Sequence, residues 1–237
     1  MVGASNSGQT RELVELFETL QTPKLGLTAT RESRLVACND HTLILSAGKE
    51  YATAATKTVI EQALVYQALL QGNEWKSQSK LADLCEQILT TPISDDIITT
   101  LANASTLYFA GRDNGVAEEL TLKTNEIIRK KSDYLEGTYV VHGIEEIMDT
   151  NDVLIVIDPF KAELDKLEQV ITKGIGMKII AVSAYDTPFE TIRIPVCEGF
   201  DTYLQLVMGQ HLLALTGLTL GIDLDKPVRA RKVGNSI

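Results

Sequence analysis

A chain of 237 residues with 44% hydrophobic side chains has ample apolar surface for a core and room for one large or two small domains. Its formal charge of −10 argues against sequence-independent binding to DNA, RNA or anionic membrane, which needs clustered Lys and Arg. No uninterrupted apolar run reaches the roughly 18 residues of a membrane span, and MVGASNSGQT has neither the basic start nor the apolar core of a signal peptide.

The chain begins with a hydroxyl- and amide-rich run, SNSGQT at 5–10, followed at once by RELVELFETL. In the second stretch Leu13, Val14, Leu16, Phe17 and Leu20 recur at helical steps with glutamates between them, so SNSGQT sits at a helix N-terminus. Two readings follow. The first N–H groups of the helix and the Ser5, Ser7 and Thr10 hydroxyls could hold a phosphate, or the same residues could merely cap the helix and turn the chain. Next come two strand-like runs, PKLGLTAT and HTLILSAG, and a long helical pattern from about Thr53 to Leu70. The segment 72–96 has helical spacing at Leu81, Leu84, Cys85 and Ile88 and reads as a connector, with Trp75 as a packing residue. TLYFAG (106–111) is a strand, followed by a helix through Val116, Leu120 and Ile127, then the strand-like GTYVV before His142. DVLIVID (152–158), MKIIAVSA (177–184) and TIRIPV are further strands, and a helix from about Tyr203 to Leu215 precedes the basic tail RARK. Short β-branched runs alternating with helices predict an α/β fold with parallel sheets flanked by helices.

The order strand, helix, strand, strand, helix occurs twice, once from residue 2 and once from about residue 153, which predicts a tandem of one α/β domain. The second copy is preceded by a further strand, helix and strand, and the first is not. The expectation is therefore a partial first domain over 1–75, a helical connector over 76–100 and a second domain with its tail over 101–237. A parallel sheet without its leading strands would leave an open edge, so the chain is expected to be an N-terminally truncated form lacking about 100 residues. Cys38, Cys85 and Cys197 match no metal-ligand spacing and read as buried thiols, so a cytoplasmic protein without a structural metal is expected.

These residues resemble a family. SNSGQT is similar to the serine-rich phosphate loop of the sugar isomerase (SIS) domain proteins, SAGKEYATAATKT to their AGxExxxAxTK segment, and GRDNGVAEELTLKTNEI to their GRGxxxxxALEGALKLKEI helix. HG at 142–143 resembles their HGP, and DLDKPVRARK their C-terminal DxDxPxxLxK. The match spans nearly the whole chain and points to the tandem isomerase part of glucosamine-6-phosphate synthase and to stand-alone isomerases, deaminases and deglycases. The resemblance implies that Ser5, Asn6, Ser7 and Thr10 hold a sugar phosphate and that the segment of Thr53, Ala54 and Ala55 lines the sugar. It implies that Glu126 moves a proton between C1 and C2, that His142 assists ring opening from the partner subunit of a homodimer, and that Lys232 on a mobile tail binds the open-chain sugar. Ala55 stands where the family has serine and Ile144 where it has proline, and glutamine-dependent synthesis is not expected of these 237 residues, none of which resembles the family's glutaminase part.

Without the resemblance each residue has a plainer reading. Glu119, Lys123 and Glu126 form one helical stripe, with Glu119–Lys123 and Glu126–Lys130 as surface i,i+4 pairs. His142 is a strand-end histidine and Lys232 part of a solvated basic run. The two functional readings that remain are a phosphosugar aldose–ketose isomerase or amino-sugar-phosphate deaminase or deglycase, expected to work without metal or organic cofactor, and a non-catalytic phosphosugar sensor.

Overall fold

The computed structural model describes residues 1–48, 50–72 and 78–230. Trp75 and Lys232 lie outside them. The chain divides into two compact units, one of Met1–Lys76 with Asp225–Ile237 and the other of Ser77–Leu224.

In the first unit the strands β1 (Val2–Ala4), β2 (Leu25–Thr28) and β3 (His41–Ile44) form a parallel sheet in that order, with Gly3 opposite Gly26 and Leu27 opposite Leu43. Helix α1 (Arg11–Thr19) follows β1, because its apolar residues at helical spacing give it one face to bury. Val14 and Phe17 on that face are fully buried, each contributing about 2 kcal/mol of transfer free energy. A Cβ on Gly3 would lie 2.6 Å from Leu13 and 2.8 Å from Phe17, so a glycine lets the helix sit directly on β1. The short α2 (Arg34–Ala37) lies between β2 and β3, and α3 (Lys57–Gln71) follows β3.

The second unit is a five-stranded parallel sheet in the order β5-β4-β6-β7-β8. Its strands are β4 (Thr106–Gly111), β5 (Lys131–Glu136), β6 (Val153–Ile157), β7 (Lys178–Ser183) and β8 (Glu190–Arg193). β6 is buried along its whole length, as a central strand covered on both faces must be. The polar edge strand β5 corrects the sequence reading. GTYVV is not a strand: Tyr139–Val141 is a 3-10 turn that buries Val140 and Val141, and the strand lies earlier, at KSDYLE. An apolar run mimicked a strand while the true edge strand carried Lys and Asp, which protect an open edge.

Helix α6 (Val116–Ile127) joins β4 to β5, and α8 (Asp201–Thr219) closes the unit. A Cβ on Gly209 of α8 would lie 2.4 Å from Leu120 of α6, so glycine permits this close helix crossing. The segment read as a connector forms α4 (Ser79–Thr90) and is followed by α5 (Asp95–Asn103), capped by Ser94, and both pack on α8. Between β6 and β7 runs α7 (Leu164–Leu167), which continues as a π-helical stretch to Ile175. Of the three thiols only Cys197 is buried; Cys38 and Cys85 are half-buried, which corrects the expectation for those two. No helix among the described residues is long and apolar enough to cross a membrane.

Candidate functional site

Because β1, β2 and β3 are parallel, the loops that follow them open at one edge of the first sheet, the strand C-terminal edge where α/β folds bind ligands. The loop after β1 carries Ser5, Asn6, Ser7 and Thr10. Its carbonyls are turned to the protein: Ser5 O accepts from Gly8 N at 3.0 Å, Asn6 O from Ala29 N at 3.1 Å, and Gly8 O from Leu35 N at 3.0 Å. Thr28 Oγ1 also donates to Asn6 O at 3.1 Å. Ser5 N, Gly8 N and Gln9 N are also spent inside the protein, on Leu27 O, Ser5 O and Oγ, and Ser7 Oγ, so the donors left to an anion are the first N–H groups of α1, which no side chain caps, with the hydroxyls beside them.

The hydroxyls are pre-arranged. Ser5, only 6% exposed, shares a 2.7 Å hydrogen bond with Thr10, and Ser7 Oγ accepts from Gln9 N at 3.2 Å. Thr10 is the N-cap residue of α1, yet its side chain makes no capping bond. The simple capping role is therefore not what Thr10 does here. Gly8 turns the loop at φ +63°, and a side chain there would meet Ser33 Oγ at 2.1 Å.

The other helix starting at this edge is closed. Glu50, which is 8% exposed, accepts from Thr56 N at 2.8 Å, Lys57 N at 3.0 Å and Thr58 N at 3.2 Å, so its carboxylate occupies the N-terminus of α3. Burial would raise this carboxyl, but the donors of Thr58, Thr56 and Lys57 outweigh it and hold the pKa at about 2. Thr53 and Ala55 are half-buried and Ala54 buried in the loop that Glu50 ties to α3. One helix N-terminus is thus filled by an internal carboxylate, whereas the other has no side-chain cap.

Glu126 is in the last turn of α6 and His142 follows the 3-10 turn after β5. Sequence spacing suggested surface pairs, and the structure corrects this. Lys123, 2% exposed, bridges Glu119 at 3.1 Å and Glu126 at 2.7 Å, whereas Lys130 donates to Ala104 O at 2.6 Å. Burial raises the Glu119 carboxyl, and the Lys123 ammonium opposes that rise. His142 is exposed and shares a 3.1 Å hydrogen bond with Thr138.

Glu126 and His142 are not brought together within one chain. The twelve residues of α6 run from the C-terminal edge of the sheet back to the N-terminal edge, where Asn125 reaches Ser132 at the start of β5. His142 comes after β5 has returned to the other edge, so about 18 Å of helix separates the two levels. At the C-terminal ends of β4 and β6, Arg112 lies 4.3 Å from the centre of the Phe160 ring and pairs with Asp158 at 3.1 Å. Among the described residues no cluster of His, Cys, Asp and Glu is arranged to hold a metal. Glu50 and Lys123 are the residues that sequence reasoning passed over. Glu50 falls within the quoted AGxExxxAxTK pattern, and Lys123 shares the stripe of Glu126.

No family model matches the chain. It is 26% identical over 256 residues to the isomerizing glutamine–fructose-6-phosphate aminotransferase of Methanocaldococcus jannaschii, covering 96% of this chain. The chain spans 23% of the length of that relative and 41% of the corresponding protein of Mycolicibacterium smegmatis. Its fold matches that of tagatose-6-phosphate ketose/aldose isomerase from Escherichia coli with a TM-score of 0.79 at 19% identity, over 97% of this chain and 72% of that one. Glucosamine-6-phosphate deaminase from Thermotoga maritima matches with a TM-score of 0.77 at 20% identity, over 98% and 73%.

Proposed function

We propose that this chain, whose sequence relatives and fold are those of the sugar isomerase proteins, binds a hexose 6-phosphate and performs aldose–ketose isomerisation or the related deamination of an amino-sugar phosphate. The single observation that carries the reading is the loop at 5–10, where hydroxyls and N–H groups surround an uncapped helix N-terminus while the neighbouring α3 is closed by Glu50. Ser5, Asn6, Ser7 and Thr10 hold the phosphate, and Thr53, Ala54 and Ala55 line the sugar. In isomerisation Glu126 takes a proton from one of C1 and C2 of the open-chain sugar and returns it to the other through an enediol while the hydroxyl proton moves between O2 and O1 through solvent, so the carboxylate ends unchanged; in deamination water adds at C2 and ammonia leaves. The bridge to Lys123 orients that carboxylate.

The separation of Glu126 from His142 in one chain supports a homodimer in which His142 serves the partner's site, assisting ring opening. Lys232 binds the open-chain sugar, and the protein works in the cytoplasm. The same separation also favours a second reading, a phosphosugar sensor without turnover. Calorimetry with a hexose 6-phosphate tests the shared claim: Ser7→Ala with Thr10→Ala should weaken binding at least about tenfold, because charge-assisted hydrogen bonds are lost. Unchanged affinity would remove the loop from the site, and conversion of the bound sugar separates isomerase from sensor.

A further inference from the structure

The loop between β3 and α3 is held at both ends by carboxylates. At its start Glu61, reaching back from α3, accepts from Ser46 N at 2.6 Å, Ser46 Oγ at 2.7 Å and Ala47 N at 2.8 Å. At its end Glu50 accepts from the N–H groups of Thr56, Lys57 and Thr58, from Thr56 Oγ1 at 3.0 Å and from the Thr58 hydroxyl. Lys57 Nζ, donating to Ala47 O at 2.9 Å, ties the two ends to each other. A capping side chain ordinarily comes from the residue just before the helix, whereas Glu50 caps from six to eight residues upstream. Residues 51–55 are thereby closed into a ring, fastened by a carboxylate whose partners are N–H and O–H donors.

Burying a carboxylate costs free energy that its hydrogen bonds must offset, and removing those bonds would leave several donors unpaired at once. So many bonds on one side chain are more than a helix cap needs. They fix the conformation of Thr53, Ala54 and Ala55, which no regular secondary structure holds. The phosphate loop, by contrast, is anchored through β2 and α2 and makes none of these bonds.

We propose that Glu50 and Glu61 are positioning residues for sugar specificity: they pre-form the 51–55 ring that receives the hydroxylated carbon chain, independently of the loop that holds the phosphate. This rests on the phosphosugar reading of the first unit. The division of labour predicts that the two halves of the ligand respond differently to the same substitution.

The test is calorimetry with inorganic phosphate and fructose 6-phosphate, using wild type, Glu50→Ala, Glu61→Gln and the Ser7→Ala/Thr10→Ala control. In Glu50→Ala the sugar phosphate should bind about tenfold more weakly while inorganic phosphate changes by less than about twofold, since ordering of the ring is then charged to sugar binding alone. Glu61→Gln, at the less buried end, should give the same split to a smaller degree and serves if Glu50→Ala fails to fold. Equal losses for both probes, or no loss for either, would overturn the proposal. If the serine–threonine control loses both probes and the glutamate variants lose neither, this inference alone falls. If the control loses neither, the phosphosugar reading falls and the inference with it.

Discussion

Gly8 offers a perturbation whose size can be worked out from two separable costs. At φ +63° an L-residue pays the left-handed backbone penalty of about 1–2 kcal/mol. An alanine Cβ would also lie 2.1 Å from Ser33 Oγ, 2.5 Å from Ser33 Cβ and 3.0 Å from Thr28 Oγ1. Ser33 is 9% exposed and Thr28 fully buried, so neither has free space to move into, and overpacking of this kind costs about 1–3 kcal/mol. The reduced entropy of the unfolded alanine chain returns about 0.4–1 kcal/mol. Gly8→Ala should therefore destabilise the first unit by about 1–5 kcal/mol. Urea unfolding followed by far-UV circular dichroism measures this, and a double-mutant cycle with Ser33→Gly divides it. Removing the Ser33 side chain relieves the steric part and leaves the backbone part, so the coupling should be about 1–3 kcal/mol. A Gly8→Ala protein within about 0.5 kcal/mol of wild type, or strict additivity with Ser33→Gly, would refute the reasoning.

Further outcomes follow from the carboxylates. Glu50 has its pKa lowered from the ordinary 4.5 to about 2, so its stabilisation is fully present above 4.5 and is lost as pH falls through 2. The difference corresponds to about 3 kcal/mol, so wild type should lose that much more stability than Glu50→Gln between pH 6 and pH 2 in urea titrations, and parallel profiles would contradict it. A Glu126→Gln chain and a His142→Ala chain, each inactive as an isomerase, should recover activity when mixed into one dimer, because one site then holds both wild-type groups. Lack of recovery in a verified mixed dimer would return His142 to its own chain's site or remove it from catalysis.

Much of the second sheet was legible because its central strands are buried on both faces. TLYFAG coincides with β4, and DVLIVID and MKIIAVSA contain β6 and β7. Such runs report burial directly, with no need of knowing the partner strand. β5 was misread for the converse reason: KSDYLE lies at an open edge and carries little apolar signal, while the nearby YVV is buried in a turn. The short α2 was not read, since four residues carry no recognisable period.

The amino-acid order by itself determined the α/β class, the amphipathic α1 behind SNSGQT and the placing of polar donors at a helix start, because periodicity and small hydroxyl side chains act over a few neighbouring residues. Tertiary structure alone decided that Thr10 leaves α1 uncapped, that Glu50 closes α3 from beyond any local capping spacing, and that Lys123 is buried between Glu119 and Glu126. Each of these depends on how far a side chain is withdrawn from water and which donors another part of the chain brings to it. A charged group in a sequence carries no mark of its surroundings; packing of α6 against α8, and folding of residues 51–55 back upon α3, turned a surface-like lysine and an ordinary glutamate into buried, fully engaged ions.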